Sequence, residues 1–65
     1  MSSPVPQPAT LAERAMTTAL LDRATAAATS ARAVAARYGL NAAAERIEWA
    51  LDFLEDAKLE AHEGR

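Results

Sequence analysis

Four carboxylates stand closest to chemistry in this sequence. Glu45, Glu48, Asp52 and Glu55 recur at i, i+3, i+7 and i+10, and a helix turning about 100° per residue sets them along one face. Hard divalent cations take such oxygen ligands, and small helical nucleotide hydrolases hold Mg²⁺ with acids of this kind to activate water. Those enzymes also draw acids from a facing helix. The only acids earlier in the chain are Glu13 and Asp22. The stripe therefore reads as a solvated acidic face, and a metal-dependent hydrolase would have to be assembled across a dimer.

His62 lies between Glu60 and Glu63. Carboxylate-bridged di-iron bundles use Glu-x-x-His pairs, but the residue three before His62 is Leu59. A histidine at the end of a helix is better placed as a terminal cation against the macrodipole. With no cysteine and this one histidine, nucleophilic catalysis has no base to spare. We therefore expect no catalytic residues, no bound metal and no cofactor, and a protein that is not an enzyme.

Binding to nucleic acid or membrane is not expected either. The formal net charge is −2, so the chain has no overall basic field. Arg14, Arg23, Arg32 and Arg37 are spread around their helix. No run of about 18 apolar residues is present to span a bilayer, and no charged segment followed by an apolar one marks a signal peptide. A cytoplasmic protein is the expectation. The Ala- and Arg-rich usage points to bacterial or phage coding.

These side chains are positioned by helices. Residues 41–62, NAAAERIEWALDFLEDAKLEAH, are apolar, aromatic and strongly charged at once. Ala43, Ile47, Ala50, Leu54, Ala57 and Ala61 step 4, 3, 4, 3, 4 along one seam, the a/d rhythm of helix–helix packing. Leu51 and Ala44 widen it on one flank, Phe53 and Trp49 on the other. The apolar arc spans roughly 200°, about twice what one neighbour covers.

The rest of the chain supplies a partner for it. Residues 1–9, MSSPVPQPA, carry a proline at every second position from Pro4, which keeps them extended and predicts a disordered leader. Thr10-Leu11-Ala12-Glu13 has the form of a capping box. A first helix of roughly 28 residues, about 42 Å long, follows. Its expected inward face is Met16, Leu20, Ala24, Ala27, Ala31, Val34 and Tyr38, with Leu21, Ala28 and Ala35 alongside. Thr17, Thr18, Thr25, Thr29 and Ser30 read as solvated positions whose hydroxyls bond back to the helix. Gly39 is the C′ stop, Leu40 is C″, and Asn41 is placed to cap the second helix. A three-residue connection predicts an antiparallel hairpin over 10–65, with helices at about 11–38 and 42–63. Gly64 would end the second helix.

The first helix has a net charge of +2, whereas residues 45–63 sum to −5. Flanking Arg–Glu pairs between the helices are therefore expected, setting orientation more than stability. A 65-residue chain without disulfides has a small core. The fold expectation is thus all-α, a two-helix hairpin that dimerises into a four-helix bundle. Its expected partner or dimer interface is Ile47, Trp49, Ala50, Leu51, Phe53, Leu54 and Ala57 with Leu20, Ala24, Ala27 and Ala31, in which the Trp49/Phe53 edge meets either its own copy or the alanine face of the other hairpin. The functional expectation is a non-catalytic docking or adaptor module with a larger protein partner. The alternative is a small inhibitor that presents the acidic face to a basic site.

Overall fold

The computed structural model describes residues 8–63. They form two helices, α1 (Leu11–Arg37) and α2 (Asn41–Glu63), joined by residues 38–40. Among the described residues there is no strand. No described helix is long and apolar enough to cross a membrane. The expected leader lies outside the described residues up to position 7, as does Gly64. Pro8 and Ala9 are exposed and precede α1.

Both ends of α1 follow from local chemistry. Extended Thr10 accepts the Glu13 backbone N–H on Oγ1 at 3.1 Å, and its own N–H donates to Glu13 Oε1 at 3.0 Å. Two donors that a helix start leaves orphaned are satisfied reciprocally. At the other end Gly39 takes φ +73°. The Gly39 N–H donates to Ala36 O at 3.1 Å and the Leu40 N–H to Ala35 O at 2.8 Å. These two bonds are the Schellman closure. The carbonyl of Leu40 then accepts the Ala44 N–H at 2.9 Å, so Leu40 holds the cap position of α2. Asn41, expected as that cap, is already the first helical residue.

The helices run antiparallel. Arg32 Nη1 lies 3.7 Å from Glu48 Oε1, and Lys58 Nζ lies 3.3 Å from Asp22 Oδ1. In each pair the partners are equally far from Leu40 along the chain, so levels match across the whole length of the hairpin. The expected Arg–Glu pairing is realised in Arg32–Glu48. Both pairs are partly exposed and contribute at most about 1 kcal/mol each.

The seam between the helices is more polar than expected. From α1 it takes Arg14, Thr18, Leu21, Thr25, Ala28, Arg32 and Ala35; from α2, Ala44, Ile47, Leu51, Leu54, Ala57, Lys58 and Ala61. Among the described residues only Ala35, at 7% exposure, is buried. The residues expected to face inward from α1 (Met16, Leu20, Ala24, Ala27, Ala31, Val34 and Tyr38) are all exposed, and so are Ala43 and Ala50. The physical reason lies in the turn. The Leu40 N–H bond to the Ala35 carbonyl brings the incoming chain over Ala35. Steps of three and four back from Ala35 then select Arg32, Ala28, Thr25, Leu21, Thr18 and Arg14 as the inner row. The apolar row lies about one residue step, roughly 100°, further round the helix.

Threonine can occupy such a seam because its hydroxyl is satisfied within the helix. Thr18 Oγ1 donates to Arg14 O at 2.9 Å and Thr25 Oγ1 to Leu21 O at 2.8 Å, both half-buried. These two positions are packing positions, which corrects their reading as solvated. Thr17 and Thr29 make the same back-bond from exposed sites.

Candidate interaction face

The hairpin has two broad faces that differ in chemistry, with Leu59, 59% exposed, sharing the acidic side of α2. On one, the ion pairs close the groove beside the seam: Asp22 from α1 meets Lys58, and Glu48 from α2 meets Arg32. Lys58 also donates to Glu55 Oε1 at 3.0 Å. Glu45, Glu48, Asp52 and Glu55 are all exposed along this side of α2. Among the described residues, no group of three or more His, Asp or Glu side chains is placed to hold a metal ion.

The other face opens where the two helices turn their remaining flanks to the same side. At the free end of the hairpin a cavity of about 300 Å³ joins Thr17 and Leu21 of α1 to Ala57, Glu60 and Ala61 of α2, with Ala9 and Arg14 at its end. Arg14 Nε is shielded there without a hydrogen-bond partner. Thr17 lies on the flank of α1 away from Asp22. Ala57 and Glu60 lie on the flank of α2 away from Glu48. The cavity therefore shows which flanks share a face. Continuing round α1 on that flank come Leu20, Ala24, Ala27, Ala31 and Tyr38; round α2 come Ala43, the exposed Arg46, Ala50 and Phe53. Met16 and Val34 stand on the outer edge of α1 and Trp49 on the outer edge of α2.

The apolar content of this face is left in water. Leu20 is 56% exposed, Trp49 57% and Phe53 73%, and Met16, Val34 and Tyr38 are comparably open. Large apolar side chains exposed singly are ordinary, whereas a contiguous set spanning two helices marks an interaction surface.

The structure divides the sequence-derived interface residues into two groups. Ile47, Leu51, Leu54 and Ala57 are half-buried against α1 of the same hairpin, while Trp49, Ala50, Phe53, Leu20, Ala24, Ala27 and Ala31 are exposed. Met16, Val34 and Tyr38 join the exposed set. Their spacing carries an apolar signal in the sequence, which by itself points to the intramolecular seam. No protein-family model matches the chain, and neither does any curated protein or solved structure.

Proposed function

We propose that this chain is a non-catalytic protein–protein interaction module, a helical hairpin that self-associates through its apolar face and so serves as a docking or adaptor element for a larger protein. The exposure of Leu20, Tyr38, Trp49 and Phe53 beside a seam that buries only Ala35 carries the reading. A surface of this composition gains by leaving water. The aromatic pair on α2 also has the character of an interface anchor. Its intracellular setting would be the cytoplasm.

Sedimentation equilibrium tests it, with a mass of about twice 6.9 kDa expected. A melting temperature that rises with protein concentration should accompany that mass. A monomer whose melting does not depend on concentration would refute self-association.

A second reading, an inhibitor presenting acids to a basic target, is favoured by one observation. Glu45, Glu48, Asp52 and Glu55 are exposed together on the face opposite the apolar one. The two readings separate by ionic strength. Partner binding through the apolar face should change little between low and physiological salt, whereas binding through the acidic row should weaken steeply.

A further inference from the structure

We draw no further inference here: the strongest candidate, the apolar face formed by Leu20 and Ala27 of α1 with Ala50 and Phe53 of α2, also carries the exposed Arg46 and Glu60, and nothing in the structure shows what covers it.

Discussion

At the scale of single residues, Gly39 turns the chain with one unusual dihedral. A Cβ added there would meet nothing within 4 Å, so substitution acts through φ +73° alone. Gly39→Ala should cost about 1 kcal/mol and Gly39→Val more, read from denaturant melts at fixed protein concentration. Replacement by D-alanine, which favours positive φ, should not destabilise. Thr10→Ala should cost about 1 kcal/mol through loss of the cap. Its partner has a pH signature. The Thr10 backbone N–H, and then its hydroxyl, hold the Glu13 carboxyl below the usual range. A lowered folded pKa contributes stability above the unfolded value that is lost as pH falls through the folded one. Glu13→Gln should therefore flatten part of the acid limb of melting temperature against pH. Lys58 behaves oppositely: its hydrogen bond to Glu55, with help from Asp22, raises its pKa. That contribution is complete below the unfolded lysine pKa and disappears as strongly alkaline pH passes the folded one.

At the scale of the helix, α1 carries two rows and uses the less apolar one inside. Half-buried Thr25 and exposed Thr29 make identical 2.8 Å back-bonds, so they form a matched pair. Thr25→Val should stabilise by up to about 1 kcal/mol, because the added apolar surface is partly removed from water. Thr29→Val should change stability by no more than a few tenths, as expected for a surface substitution. Equal effects at both sites would mean that the seam is not where Thr25 lies. On α2, Leu54→Asp places a charge in the half-buried seam beside Lys58 and should unfold the hairpin, as lost ellipticity would show.

At the scale of the whole molecule, a seam with one buried alanine and partly exposed leucines supplies little hydrophobic stabilisation against the ordering of some fifty helical residues, each costing roughly 1 kcal/mol or more. The second apolar face is where the balance can be recovered. Trp49→Ala combined with Phe53→Ala should lower melting temperature and abolish its concentration dependence together. The same pair of changes would leave both unmoved if the face were idle. Changing Glu45 and Asp52 to the corresponding amides should leave self-association nearly intact and reduce net repulsion slightly, seen as a small gain in affinity at low salt.

Two helices, both caps of α1, the reversal at Gly39 and Arg–Glu pairing between the helices were legible in the residues alone; that the pair is Arg32–Glu48 came from the packing. Each legible feature rests on residues close in sequence or on the short connection between helices. A Thr-x-x-Glu cap and a C′ glycine act within one turn of backbone, and a three-residue link leaves antiparallel packing as the compact solution. Tertiary structure decided the rotation of α1 about its own axis. Its rows through Ala31 and through Ala35 have the same rhythm, and hydrophobicity alone favours the former. The bond from Leu40 to the Ala35 carbonyl is local to the cap, but which row lies inside is settled only when α2 packs back along α1, and there the row through Ala35 is covered. That one step of rotation moved Leu20, Val34 and Tyr38 from the seam into water, and put Thr18, Thr25 and Arg32 in their place.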